Sequence, residues 1–323
     1  MDWIFDGLEK WFREVLGSFI AFLLKGMAQL MDGVTNEVSA QIGHTPQSWS
    51  NAYASYGGKG IFETIENIGE NVIVPIGGII LSFVVMYEFI QQLLEKNTFH
   101  EFEMGIFFRF IFKTVIAIVF LSNTFTIVGA IFDLGSSIST SVTSELTGGA
   151  AGGSTTYIQN ALKDVIGKFD PADPNGNCIV TDPEKVSIGA LLLDIIVIGL
   201  LDLVALVMQI CSYVIVIGRM IEVYIYTSVA PIPLATITNR DFGDVGKNYL
   251  KNIFAFVLQG VFIMICVGIF QTLIITQFGS AVSDDIIGLD FTLEMLKCGG
   301  LGIVLILSMF KSGSMAKSIL GCH

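Results

Sequence analysis

Charge is scarce in this sequence. Only 14% of its 323 residues are Asp, Glu, Lys or Arg, against about 25% in a soluble globular domain. Histidine is rarer still: His44, His100 and His323 all lie in polar segments, so imidazole chemistry has little to work with. The five cysteines show no CxxC or Cys/His spacing, which excludes a recognisable disulfide framework or zinc site. No GxSxG, HExxH or Walker A pattern occurs. The opening residues MDWIFDGLEKWFREV lack the basic region and A-x-A site of a signal peptide. No period of 20–50 residues signals a solenoid. The net charge of −12 is the opposite of a nucleic-acid-coating surface. Together these absences point away from an enzyme and from any cofactor or metal.

What is present is apolar length. Hydrophobic residues make up 53% of the chain, the mean hydropathy is +0.72, and several runs reach eighteen or more apolar residues, enough to span a bilayer as helix. The expected fold is all-α and polytopic: about five transmembrane helices, an N-terminal amphipathic helix, and a Pro-terminated central helix or re-entrant segment. Residues 1–32 read as that amphipathic helix. Leu8, Trp11, Phe12, Val15, Leu16 and Phe19 recur at helical spacing, and Trp3 and Trp11 suit an interface. Lying on the membrane is the first reading, and a short span reaching Met31 is the alternative. Spans are expected at about 72–94, 106–132, 188–212, 253–277 and 295–311. In chain order, residues 1–71 hold the amphipathic helix and an outer polar segment. Residues 72–134 are a first transmembrane pair, 135–187 an outer polar loop, and 188–323 the central and C-terminal helices.

Val186–Thr238 is the longest apolar stretch. As one helix it would measure roughly 75–80 Å, against a hydrocarbon core of about 30 Å. Lys and Arg mark the cytoplasmic side, and Lys96, Arg109, Lys113, Arg240, Lys247, Lys251, Lys311 and Lys317 fall into alternating segments. The acidic segments 33–71, 135–187 and 279–294 then lie outside. This alternation allows the central run one crossing, about 188–212. Residues 213–237 become a cytoplasmic extension or a re-entrant piece broken at Pro231 and Pro233. The C-terminus is then cytoplasmic and the N-terminus outside.

Asp194 and Asp202 stand inside this run. Eight residues apart, they lie about 80° apart on the helix and roughly 12 Å apart along it. They are candidate pore or bundle-interior residues, since carboxylates at membrane depth need water or a partner. An aspartyl-protease dyad is excluded, because that chemistry needs carboxylates about 3 Å apart. Arg219 and Glu222 form an i,i+3 pair, either a simple interfacial ion pair or, with Pro231 and Pro233, candidates for assembly or cytoplasmic contact. Asp173, Asn175, Asn177 and Glu184 imperfectly echo a calcium loop, but Cys178 replaces the required glycine and Pro174 is awkward. An ordinary Asx/Pro turn is the better reading.

Several features combine into a resemblance: the amphipathic N-terminus, NVIVPIGG opening the 72–94 span, a large outer loop with a small-residue tract, and GRMIEVYIYTSVAPIPLAT followed by a basic loop. The chain resembles the TrbL-type polytopic inner-membrane component of type IV secretion systems, in its compact form. The most specific piece is Arg219 to Thr236. The resemblance implies a homo-oligomeric channel subunit that helps a DNA–protein substrate cross the cytoplasmic membrane. Its implied partners are a bitopic assembly factor, minor pilus or stalk subunits, and secretion ATPases or a coupling protein. No catalytic motif is carried over. The alternative reading is an ion or small-molecule transporter using Asp194 and Asp202.

Overall fold

The computed structural model describes residues 2–54, 60–95, 104–146, 157–172, 178–180, 186–282 and 289–322. Among these residues the regular elements are helices and no strand occurs. In chain order they are α1 (Asp2–Ile42), α2 (Pro46–Ala54), α3 (Ile61–Ile68), α4 (Val74–Glu95), α5 (Met104–Ser122), α6 (Thr124–Leu146), α7 (Tyr157–Phe169), α8 (Ile188–Val229), α9 (Pro231–Leu234), α10 (Gly243–Val282) and α11 (Leu289–Ile319). A π turn, Gly69–Ile73, joins α3 to α4. Six stretches among the described residues are long and apolar enough to cross a membrane: Asp6–Ile42, Ile61–Leu94, Thr124–Glu145, Ile188–Val229, Gly243–Gln277 and Phe291–Ile319. An all-α polytopic membrane protein is what the shortage of charge requires, because helices satisfy their own backbone groups in lipid.

The helices run further than the sequence suggests. The N-terminal helix does not stop near residue 32. It continues to Ile42 and is itself long enough to cross. The reason is a buried stripe: Leu24, Met27, Met31, Val34, Val38 and Ile42 keep helical spacing through a stretch that reads polar on average. The expected 106–132 span is α5 plus the start of α6, with an irregularity at Asn123. The N–H of Asn123 still donates to the Val119 carbonyl (3.1 Å) and the N–H of Ile127 to that of Asn123 (3.0 Å), so the chain does not reverse. Asn123 and Thr124 side chains donate to carbonyls of the preceding turn, a recognised cause of helix bending. The first part of the expected polar loop is also helical. Ser137, Thr140 and Ser141 each bond a carbonyl four residues back (2.8–3.0 Å), so their hydroxyls are satisfied within α6, which reaches Leu146. The helix expected near 157–168 is α7. The Asp173–Glu184 stretch lies almost wholly outside the described residues.

The central run is one helix. α8 continues unbroken from Ile188 to Val229, so residues 213–229 are an extension of the first half and not a separate re-entrant piece. It stops at Ala230 because Pro231 and Pro233 have no N–H to donate to the carbonyls of the preceding turn, and the single turn of α9 follows.

The chain folds into two compact units assembled from separated segments. The first contains residues 1–40, 142–216 and 263–311, and the second 41–141, 217–262 and 312–323. In the first unit α8 and α11 run in the same direction. Asp194 meets Thr292, Leu201 lies beside Gly299, Met208 beside Gly302, and Ser212 reaches Met309. α10 runs opposite to α11, with Gln277 bonded to Glu294. α1 lies along α8 through Arg13–Val186 and Gly33–Gln209. In the second unit Val128, Phe132, Val223, Leu234, Ile253 and Phe256 form one core cluster, with a satellite of Trp49, Phe62, Met220 and Tyr224. A third cluster, Leu81, Ala117, Leu121 and Ala235, seats the α4–α5 pair on α9.

Candidate functional site

Asp194 is 1% exposed. Its Oδ1 accepts the Thr292 hydroxyl at 3.0 Å, while Oδ2 is buried with no hydrogen-bond partner. Asp202 is half-buried, and its Oδ1 likewise lacks a partner. Both belong to the first unit, on one helix that holds them about 12 Å apart along its axis. Asp194 faces α11, where the Thr292 hydroxyl bonds to it. Among the described residues no Lys or Arg forms an ion pair with either carboxylate. Carboxylates held this way are under-solvated, the condition in which a proton, cation or water is most strongly drawn in.

Arg219 and Glu222 do not pair. Arg219 is buried, and its Nε and Nη2 donate to the Phe256 carbonyl at 3.2 and 3.1 Å, whereas Glu222 is exposed. The interfacial ion pair of the sequence reading is therefore replaced by a tie between α8 and α10. Gly260 makes room for it, since a Cβ there would lie 2.7 Å from Nη2.

Pro231 and Pro233 shape the segment after α8. The Pro231 carbonyl lies against Gly77 of α4, and the Pro233 carbonyl accepts the Thr236 hydroxyl at 2.8 Å. A polar knot follows, one the sequence did not single out. Asn239 Oδ1 accepts the N–H groups of Asp241 (2.8 Å) and Phe242 (2.9 Å), and its Nδ2 donates to Glu88 Oε2 at 3.1 Å. Lys113 closes on Glu88 Oε1 at 2.6 Å, and Gln91 reaches Asp241 at 2.6 Å. Glu88 and Lys113 thus pair with each other. The run Asn-Arg-Asp-Phe-Gly, with Asn two residues before Asp and four before Gly, carries turn residues typical of an Asx turn and was the available signal. Asp32 was missed as well. Its carboxylate accepts the N–H groups of Ile158 (3.0 Å) and Gln159 (3.1 Å), capping α7 from another helix.

Residues 31–231, more than half of the chain, match the family described as TrbL/VirB6 plasmid conjugal transfer like protein. The chain belongs to this family. No curated protein and no solved structure matches it. The TrbL/VirB6 match begins at Met31 in α1 and ends at Pro231, so it takes in Asp194, Asp202, Arg219 and Glu222, while Pro233 lies beyond it. Membership makes the protein a multi-pass membrane component of a conjugal transfer, type IV secretion apparatus. The TrbL/VirB6 family is a structural part of that apparatus.

Proposed function

We propose that the protein is a channel or scaffold subunit that helps a DNA–protein substrate across the cytoplasmic membrane. The family match across the membrane-helix region carries this reading. It is a homo-oligomer in the inner membrane, with the N-terminus outside and the C-terminus in the cytoplasm. Residues 135–187 face outward, toward a bitopic assembly factor and minor pilus or stalk subunits. The basic 240–251 stretch faces the secretion ATPases or coupling protein. On α8, Ile196, Leu200, Leu203, Val207, Ile210 and Val214 are exposed at alternating four- and three-residue spacing, the pattern of a seam between helices. This supports self-association. Arg219 serves assembly by fixing α8 to α10, and Glu222 is free to meet a neighbour.

Deleting the gene from its element and scoring mating tests the reading. Transfer falls by orders of magnitude and returns on complementation, and undiminished transfer sinks it. The buried, unpartnered oxygens of Asp194 and Asp202 favour a second reading, ion transport. An Asp194→Asn, Asp202→Asn double variant separates the two. Normal mating in this variant fits the channel reading. Reconstituted ion flux that disappears with the same change fits the transporter.

A further inference from the structure

α7 belongs to the segment proposed to face outward, yet it packs lengthwise on α1. At its start the N–H groups of Ile158 and Gln159 bond to Asp32. At its far end, a Cβ on Gly17 would lie 2.6 Å from the Phe169 carbonyl oxygen. α7 therefore covers α1 from Asp32 back to Gly17, roughly 22 Å of helix. Two more helices of the first unit pass this stretch. α8 lies beside it, since Arg13 bonds the Val186 carbonyl and Gly33 adjoins Gln209. α11 follows α8 from Thr292 at Asp194 to Gly302 at Met208, and the Phe291 ring lies 5.4 Å from that of Phe169.

At this level α7 differs from its neighbours in what it exposes. α1 exposes Phe19 and Phe22, α8 exposes Ile196 and Leu203, and α11 exposes Leu293 and Leu296. α7 buries Ile158, Leu162, Val165 and Phe169, whereas its exposed residues are Asn160, Lys163 and Asp164. Spaced i, i+3 and i+4, these three share one helix face. Among the described residues neither Lys163 nor Asp164 forms an ion pair. A lysine can carry its charge some way toward an interface on its long stem, but an aspartate cannot. Hydrocarbon is therefore a costly neighbour for this face, and water is not.

We propose that the face of α7 formed by Asn160, Lys163 and Asp164 lines a water-filled passage at membrane depth. The proposal rests on the reading that α8 crosses the membrane at about residues 188–212. The lipid-facing sides of the first unit are then the apolar faces of α1, α8 and α11, and α7 is its wet side. One charge of each sign and an amide keep such a wall hydrated without a row of cations to hold a polyanion in place.

Cysteine accessibility tests this in membranes from cells that carry the complete apparatus, broken open so that reagent reaches both sides. The probe is a small charged thiosulfonate, which reacts with a thiolate and hence in water. Modification is read at each site by mass spectrometry, so the native cysteines do not interfere. Lys163→Cys and Asp164→Cys react at least about tenfold faster than Phe22→Cys and Leu296→Cys, because a thiol in hydrocarbon does not ionise. Slow reaction at both α7 positions overturns the proposal and leaves the crossing of α8 standing. Fast reaction at all four overturns both, since this level of the unit then lies outside the membrane. Should Lys163→Cys not accumulate, Asp164→Cys decides alone by the same comparison.

Discussion

Asp32 keeps a carboxylate inside a helix bundle by giving each oxygen a backbone N–H from the first turn of α7. This is helix capping performed from a distance of more than a hundred residues, and it favours negative charge there. Asp32→Ala is expected to cost about 1–2 kcal/mol, the usual worth of a good cap. Asp32→Asn, which keeps one acceptor, costs less. Protease protection of α7 measures both, and equal protection in wild type and Asp32→Ala would contradict the capping role. Asp194, Asp202 and Arg219 were legible in the sequence because a charge in an apolar run stands out. Their surroundings were not. The carbonyl that holds Arg219 belongs to Phe256 on another helix, and backbone acceptors leave no mark in sequence. Asp32 was hidden for the opposite reason, since it sits in a helix already carrying many charges. Only its place between buried Met31 and Thr35 sets it apart.

Among the elements, α4 shows how close packing is written in small residues. Gly77 and Gly78 are adjacent and look alike in sequence. A Cβ on Gly77 would lie 2.8 Å from Leu121 and 3.1 Å from the Pro231 carbonyl, whereas one on Gly78 meets nothing. Gly77→Ala is therefore expected to destabilise by about 1–3 kcal/mol through overpacking. Gly78→Ala should be neutral or gain up to about 1 kcal/mol, because glycine weakens a helix interior. Paired thermal melts check this, and equal effects would refute the packing of α4 on α9. Helix existence was readable from apolar periodicity, and so was the stop at Pro231. Helix length was not. α6 runs through a Ser/Thr-rich tract that looks like loop, with its hydroxyls bonded to carbonyls four residues back. At Val34 and Val38, burial outweighed the polar average of α1.

At the scale of the whole molecule, the family match and the long helices describe a part of an assembly. The α8 stripe supplies a test of self-association. A photo-crosslinking amino acid at Leu203 should join two copies in cells that carry the complete transfer apparatus. Failure to crosslink there would count against α8 as the seam. The length of α8 has a further consequence. Its 42 residues measure about 63 Å, and fitting them within a core of about 30 Å would need a tilt near 60°, beyond the roughly 40° that membrane helices reach. Exposed apolar side chains nevertheless run from Leu192 to Val229. Lipid alone has too little thickness to wet that face, so the remainder must be covered by protein. A copy made without its companions would show an oily flank to water and become a natural target for membrane quality control. Its lifetime in the cell would then report whether the apparatus around it is complete.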